Sequence, residues 1–378
     1  MVRLVWQGRV ASNVAVGVLL AAGLIHAQDK TSGRWVMQSS GTKAGLRGIH
    51  AVGGGVAWAS GTNGTVLRTE DGGYMWQSCA LPPNADKLDF RGIWAWDANT
   101  AIVMSSGPGD QSRLYKTTDG CSHWTLLYTN PDKDGFWDAV VFSDRKNGFV
   151  LGDPVNGRFV LLRTEDSGAS WKPVESADLS AGGPKRGAFA ASNSAMALNG
   201  PVMGPVWAPW FGTSGPGGPL VYQGGIDCTM GIAHSNPEEC LRHWTFDKSK
   251  PPIIGDSASS GIFSLAQRDS QHWVAVGGDY SKPNESVGTA AWTADGGAHW
   301  TAAEKPPHGY RSAVAWDADA KAWIAVGTNG SDVGHDDGKT WSPLDSAPGG
   351  GNWNALSLPW VVGQEGRIAR LGTLPVRK

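Results

Sequence analysis

Short apolar stretches recur along the chain and are separated by turn residues. A glycine or polar residue leads into each stretch, a turn follows, and a second stretch ends in small residues. Leu46–Ile49 leads in this way to Ala59–Gly61, and Phe90–Ile93 leads to Ser105–Gly107. Apolar runs of this length, bounded by turn signals, predict paired β-strands. The pattern starts again at Phe136, Ile262, Tyr310 and Trp353.

A second repeat lies within the first: an aspartate is followed five residues later by a tryptophan. The Asp carboxylate can accept hydrogen bonds from backbone N–H groups of its own turn, and Gly supplies a positive φ. The Trp closes the turn by covering a large apolar area. We therefore predict a structural role for these residues, on outer turns. The pairs are Asp71 and Trp76, Asp119 and Trp124, Asp166 and Trp171, Asp295 and Trp300, and Asp336 and Trp341.

These turns are not uniform, and their spacing leaves one gap. Cys121 stands where Gly is expected, and Gly334 stands where Thr is expected. The long interval between the third and fourth pairs contains Trp244, which we interpret as a repeat that has lost its Asp. Four strands in roughly 40 to 50 residues are typical of a β-propeller blade.

The last repeat, residues 352–372, ends after three strands. The segment Arg34–Met37 precedes the first blade and has no other partner, so we expect it to supply the missing strand. Ring closure removes the exposed edges of an open array. The sequence thus predicts an all-β, seven-bladed β-propeller closed by an N-terminal strand. Six or eight blades are the alternatives if the fourth repeat is misread.

The chain divides into a leader and one propeller. Arg3 and Arg9 precede the apolar stretch Val10–Ile25, and Ala27 is a small residue suited to cleavage, so residues 1–27 are predicted to be a secretory signal peptide. An uncleaved membrane anchor is the alternative. The propeller is expected over residues 33–374, with a loop insertion in the fourth blade at about 200–242, where Pro and Gly are frequent.

Composition narrows the function classes. The 378 residues include 53 Gly and 20 Trp, and only 17% are charged, which suits short strands and tight turns. The formal net charge of -2 does not favour nucleic acid or a membrane surface as a partner. We expect a mature chain that is exported to the periplasm or the extracellular space, is not stably inserted in a membrane, and is monomeric.

Four cysteines fit an oxidising compartment. Cys228 and Cys240 flank a polar loop and can pair with each other; Cys79 and Cys121 lie beside the turns of adjacent repeats and form a second, weaker candidate. None has the spacing of a metal site. No dinucleotide-binding or haem-attachment motif is present, so we expect neither a metal nor a cofactor.

The Asp–Trp spacing resembles the Asp box, or BNR motif. Together with Leu151–Phe159, Val276–Tyr280 and Gly309–Ala313, it makes the mature chain similar to exported BNR-repeat propellers related to photosystem II stability and assembly factors. That resemblance implies a chaperone-like protein that binds a partner and catalyses no reaction. Other relatives carry labels such as oxidoreductase or glycosyl hydrolase.

Function is expected where the blades differ, at one mouth of the central channel. Inner strands start there, and polar residues from several blades converge. They can hold the blades together through ion pairs, or bind an anionic group, since Arg binds carboxylates bidentately. The candidates are Arg47, Arg91, Asp138, Asp153, Arg158, Asp279, Tyr280, Arg311 and Asn354.

Three functions remain open. The first is a non-catalytic scaffold that binds a protein or peptide at the mouth. The second is a sialidase-type glycosidase, with Arg47, Arg91 and Arg311 holding a sugar carboxylate, Tyr280 or Tyr310 as nucleophile, and Asp153 or Asp279 as acid. Its opening Arg-Ile-Pro motif is missing, and such enzymes usually have six blades. The third, a redox enzyme, rests only on the labels of relatives.

Overall fold

The computed structural model describes residues 35–203, 206–227, 243–344 and 350–374. These residues form seven four-stranded antiparallel sheets within one compact unit, so the predicted seven-bladed β-propeller is confirmed. Three helical turns are described, at Gly109–Gln111, Ala177–Leu179 and Gln364–Gly366. No helix in the described part of the chain is long and apolar enough to cross a bilayer. The predicted signal peptide, residues 1–27, lies outside the described residues.

The strands follow each other from the hub outwards in the first three blades. Blade 1 contains Leu46–Gly53, Val56–Gly61, Val66–Thr69 and Gln77–Ser78 (β2–β5). Blade 2 contains Phe90–Ala95, Ala101–Ser105, Arg113–Thr117 and Thr125–Thr129 (β6–β9). Blade 3 contains Trp137–Phe142, Gly148–Val155, Arg158–Thr164 and Lys172–Pro173 (β10–β13).

The next three blades repeat this order. Blade 4 contains Met196–Met203, Val206–Gly212, Val221–Ile226 and Trp244–Ser249 (β14–β17). Blade 5 contains Ser260–Gln267, Trp273–Asp279, Ala290–Thr293 and Thr301–Ala302 (β18–β21). Blade 6 contains Ala313–Asp317, Ala322–Gly327, Gly330–Gly334 and Ser342–Pro343 (β22–β25).

Blade 7 is built from both ends of the described chain. Trp353–Ser357, Trp360–Gly363 and Ile368–Leu371 (β26–β28) are followed by Trp35–Gln38 (β1), whose Trp35 pairs with Leu371. The Trp35 ring is buried, and its indole N–H donates to Ser331 Oγ of blade 6 at 2.9 Å. The predicted closure by an N-terminal strand is therefore confirmed.

Apolar side chains on the two faces of each blade pack against the neighbouring blades. Trp244, which carries the degenerate fourth repeat, packs edge-on against Phe149 of blade 3, with 5.6 Å between ring centroids. Trp58, Trp273 and Trp323 are fully buried on second strands. Because each apolar cluster joins adjacent blades, the ring as a whole provides the core.

All five Asp–Trp turns join the third and fourth strands of a blade. In each turn, Asp Oδ1 accepts the backbone N–H of the residue four positions later, at 2.8–3.0 Å. Two consecutive residues have positive φ, including the non-glycine Cys121 at 67°. The Trp side chains are buried, except for the partly buried Trp300. This geometry fits the predicted structural role.

Blade 4 departs from the sequence interpretation. A loop insertion was expected at about 200–242, but the described part of this range contains the whole of β15 and β16. Pro209 and the pair Gly224–Gly225 are atypical of strands and led to the loop interpretation. Phe211 and Tyr222 are buried and stack, with 4.7 Å between their ring centroids. Burial of the aromatic rings outweighs the low strand propensity of Pro and Gly.

One disulfide links adjacent blades within the described residues. Cys79, just after the outer strand of blade 1, is bonded to Cys121 in the Asp–Trp turn of blade 2, with 5.3 Å between the Cα atoms. The weaker of the two sequence candidates is therefore formed. Cys228 and Cys240 lie outside the described residues, and their pairing stays a prediction.

Candidate functional site at the propeller hub

A chain segment crosses the hub and closes the central channel. Residues 188–194, which we call the plug, run from blade 3 into the inner strand of blade 4. Asn193 reaches one side of the ring, where its amide pairs with both the N–H and the C=O of Val140 at 2.8 and 2.9 Å. Ser192 reaches the other side and donates to the carbonyl of Ser312 in blade 6 at 2.8 Å. The sequence pattern did not predict this plug.

The mouth cavity lies on the side of the plug where the inner strands start. It has a volume of about 480 Å³, within the usual range for ligand sites. Blades 1, 2, 3, 5, 6 and 7 and the plug contribute to its walls. Six of the predicted residues line it together: Arg47, Arg91, Asp138, Asp153, Tyr280 and Asn354.

Two arginines in the mouth cavity share one carboxylate. Arg91 Nε donates to Asp89 Oδ2 at 2.8 Å, and Arg91 Nη1 donates to the carbonyl of Ala190 in the plug at 3.3 Å. Arg47 Nε lies 4.0 Å from Asp89 Oδ1, and both atoms are buried without a hydrogen-bond partner among the described residues. Arg47 lines the cavity, and its buried Nε–H is a donor that no described residue uses.

Two further carboxyl groups, Asp138 and Asp153 on blade 3, line the same cavity. Burial, and then repulsion from Asp153, raise the pKa of Asp138 well above its ordinary value. Burial also raises the pKa of Asp153, although its Oδ1 accepts the N–H of Ala188 at 2.9 Å. Attraction to Arg91 opposes these effects at Asp138, but burial disfavours the ionised form of both carboxyl groups.

An aromatic wall faces the charged groups. Phe189 of the plug stacks on Phe263 of blade 5 at 3.6 Å, and Phe263 meets Tyr310 edge-on at 4.8 Å. Tyr280 stands above them and is 52% exposed, so its ring is open to a ligand. Burial raises the pKa of Tyr310, which keeps its hydroxyl protonated. The cavity therefore offers cations beside an apolar surface.

Three predicted site residues lie elsewhere. Arg311 is fully buried and turns away from the cavity, because its Nε donates to Asp332 Oδ2 at 2.8 Å and its Nη1 to Asn329 Oδ1 at 2.6 Å. Arg158 is exposed at the start of β12. Asp279 accepts hydrogen bonds from Ser281 and does not line the cavity. Without Arg311, the cavity does not contain the three-arginine cluster that a sialidase uses to bind the sugar carboxylate.

The sequence interpretation named Tyr280 and Tyr310 of the aromatic wall, but it missed Asp89, the plug, and the wall residues Phe189 and Phe263. Asp89 directly precedes the repeat start at Phe90, and this position next to Arg91 is the signal that identifies it. Within the described residues, no group of three His, Cys, Asp or Glu side chains could hold a metal ion.

Comparisons with known proteins extend to the fold only. No protein-family model matches the sequence, and no curated protein matches it. The WD40 propeller domain of Doa1 has a TM-score of 0.54 at 10% identity, over 89% of this chain and 96% of that one. An ancestral GH74 enzyme has a TM-score of 0.54 at 12% identity, over 88% of this chain and 45% of that one.

A YCF48 structure with a bound D1 peptide is also similar, with a TM-score of 0.41 at 15% identity, over 90% of this chain and 95% of that one. At these identities, the likeness establishes a propeller and no activity. The finer resemblance to assembly factors stays a prediction.

Proposed function

We propose that the protein is an exported, non-catalytic scaffold that binds a protein or peptide partner in the mouth cavity through a carboxylate of that partner. The observation that supports this is the pairing of Arg47 and Arg91 with a single carboxylate, Asp89, in which Arg47 Nε has no hydrogen-bond partner. A bidentate Arg–carboxylate contact is stronger than a neutral hydrogen bond and fixes the orientation of the ligand.

The aromatic wall supports a peptide ligand over a small inorganic anion. A chain terminus places an apolar side chain next to its carboxylate, and Tyr280 and Phe263 lie across the cavity from the two arginines. Burial of an apolar side chain there adds affinity that an isolated anion does not gain. We therefore expect selection for a free C-terminus that carries an apolar last residue.

The test is a display library of random peptides with free C-termini, selected on the full chain. Each enriched sequence is synthesised as the free acid and as the amide, and binding is measured by fluorescence anisotropy. We expect the acid to bind at least about tenfold more tightly than the amide. Arg47→Ala and Arg91→Ala should each weaken binding of the acid to a similar extent.

Arg145→Ala is the matched control, because Arg145 forms an exposed ion pair with Asp97 far from the mouth cavity. It should bind the acid like the wild type. Equal affinity for acid and amide, or equal binding by the Arg47 and Arg145 variants, would contradict the proposal. Turnover of a fluorogenic sialoside that Tyr310→Phe abolishes would instead support the glycosidase alternative.

A further inference from the structure

A second cavity lies on the opposite side of the plug. This far cavity has a volume of about 420 Å³ and is formed where the inner strands end. His50, Trp94, Phe142, Met196, Trp207 and Leu356 contribute to its walls. Trp94 and Trp207 are only partly buried, so part of each ring is accessible.

The chemistry of the far cavity differs from that of the mouth cavity. None of its described lining residues is Asp, Glu, Lys or Arg. Its ionisable side chain, His50, is neutral at neutral pH, because burial lowers its pKa to about 4. A charged ligand would lose its hydration without gaining an opposite charge, so the cavity discriminates against ions.

His50 also supplies a directed donor. Its Nδ1 lies 3.3 Å from the backbone N of Ala95 and accepts that N–H, which places the proton of the neutral ring on Nε2. No hydrogen bond of His50 Nε2 is found among the described residues. The ring lies 4.2 Å from Trp94, centroid to centroid, which fixes its orientation.

The two cavities are separate sites. They share no lining residue, since Ala191 of the plug faces the mouth cavity and its neighbour Ser192 lines the far cavity. The hydrogen bonds of Ser192 and Asn193 hold the plug to opposite sides of the ring. A ligand in one cavity is therefore not in contact with a ligand in the other.

We propose that the far cavity binds a neutral aromatic small molecule, with its ring against Trp94 and Trp207 and an electron-rich face or acceptor atom on the Nε2–H of His50. Aromatic rings prefer offset or edge-on contacts with other rings, and the lining residues Trp94, Phe142 and Trp207 offer such contacts. This site is independent of the carboxylate site in the mouth cavity.

The test uses the full chain labelled with 5-fluorotryptophan and indole as the probe. Of the 20 Trp signals, those of Trp94 and Trp207 should shift in the ¹⁹F spectrum, and Trp94→Phe and Trp207→Phe assign them. Indole-3-acetate carries the same ring with a negative charge and should bind at least about tenfold more weakly. Absence of shifts at millimolar indole, or shifts confined to Trp353 in the mouth cavity, would overturn the proposal.

A pair of matched variants separates the two sites. Trp207→Ala removes a partly exposed ring from the far cavity, and Tyr280→Ala removes one from the mouth cavity. We expect Trp207→Ala to weaken indole binding about tenfold or more and to leave binding of the C-terminal peptide unchanged. Tyr280→Ala should do the reverse. If both variants bind indole equally well, the proposal for the far cavity is wrong. If a variant loses only peptide binding, the result concerns the proposal for the mouth cavity.

Discussion

Arg311 and Asp332 form an ion pair from which water is excluded, with side chains 0% and 1% exposed. Although burial raises the pKa of Asp332, hydrogen bonds from His308 and attraction to Arg311 lower it overall, so this carboxyl is ionised. Removal of one partner leaves an unpaired charge in the interior. We expect Arg311→Met to lower the free energy of unfolding by about 3–5 kcal/mol, as measured by urea denaturation.

The double variant Arg311→Met/Asp332→Leu is the control for this effect, because it removes both charges. It should recover most of the lost stability. Arg145→Ala, at an exposed ion pair, should cost at most about 1 kcal/mol. A double variant as unstable as the single one would show that packing, not charge, holds this position.

Asp138 should make stability fall as the pH rises. An unfolded Asp ionises near pH 3.8, whereas burial and the neighbouring Asp153 keep the folded Asp138 protonated to higher pH. Above pH 3.8 the folded state therefore binds more protons at this group than the unfolded state does. The contribution to the free energy of unfolding then decreases by up to about 1.4 kcal/mol per pH unit.

Asp138→Asn removes this ionisation from the unfolded state. We expect the variant to gain stability relative to the wild type between pH 4 and pH 7, in urea unfolding at several pH values. Asp134→Asn, at an exposed site, serves as the comparison. A stability difference that is the same at pH 4 and pH 7 would show that Asp138 is ionised in the folded protein.

At the scale of strands, the position of a residue in the repeat predicts its place on the backbone, but not the partners of its side chain. Arg47, Arg91 and Arg311 occupy equivalent positions at the start of inner strands, and the sequence placed all three at the mouth. Only blade 6 supplies an acidic residue, Asp332, on its third strand, and this residue withdraws Arg311 from the cavity. This contact lies within one blade and spans 21 residues, but it depends on a residue that the other blades lack, so the repeat does not predict it.

The N-terminal strand should be indispensable to the ring. A chain that begins at residue 40 lacks Trp35–Gln38, and so exposes the edge of Ile368–Leu371 and the apolar site of Trp35. We expect loss of at least about 3 kcal/mol in the free energy of unfolding, with self-association through the open edge. Urea denaturation and light scattering measure the two effects.

A chain that begins at residue 31 keeps the strand and is the matched control. A synthetic peptide that spans residues 33–40 should restore stability to the shorter chain, because it can supply the missing strand in trans. Equal stability of the two truncated chains would mean that blade 7 is complete with three strands.

At the scale of the whole molecule, the disulfide between Cys79 and Cys121 joins two blades across 42 residues of sequence. It restricts the unfolded chain, and its loss should cost about 2–4 kcal/mol. Cys79→Ala/Cys121→Gly tests this, because glycine accepts the φ of 67° at position 121. Its melting temperature should be below that of the wild type and respond less to a reductant. Equal sensitivity of both proteins would locate the effect at another cysteine pair.

The sequence predicted the architecture and six of the residues that line the mouth cavity, but it did not predict the plug. Strand pairs within a blade and Asp–Trp turns are local, so the count of seven blades follows from spacing, and the role of Trp35 follows from the incomplete last repeat. The plug depends on single contacts, such as those of Asn193 with Val140, between segments without a repeated pattern. Two cavities instead of one open channel are the result.

The pairing of the first strand with the last also sets an order of events in the cell. Of the described strands, Trp35–Gln38 leaves the ribosome first, and its partner Ile368–Leu371 leaves last. The first strand therefore waits, unpaired, through the synthesis of all seven blades, and the circle closes only after translation of its final strand. A nascent or prematurely terminated chain always presents a bare sheet edge, which chaperones and proteases can use to tell unfinished molecules from finished ones.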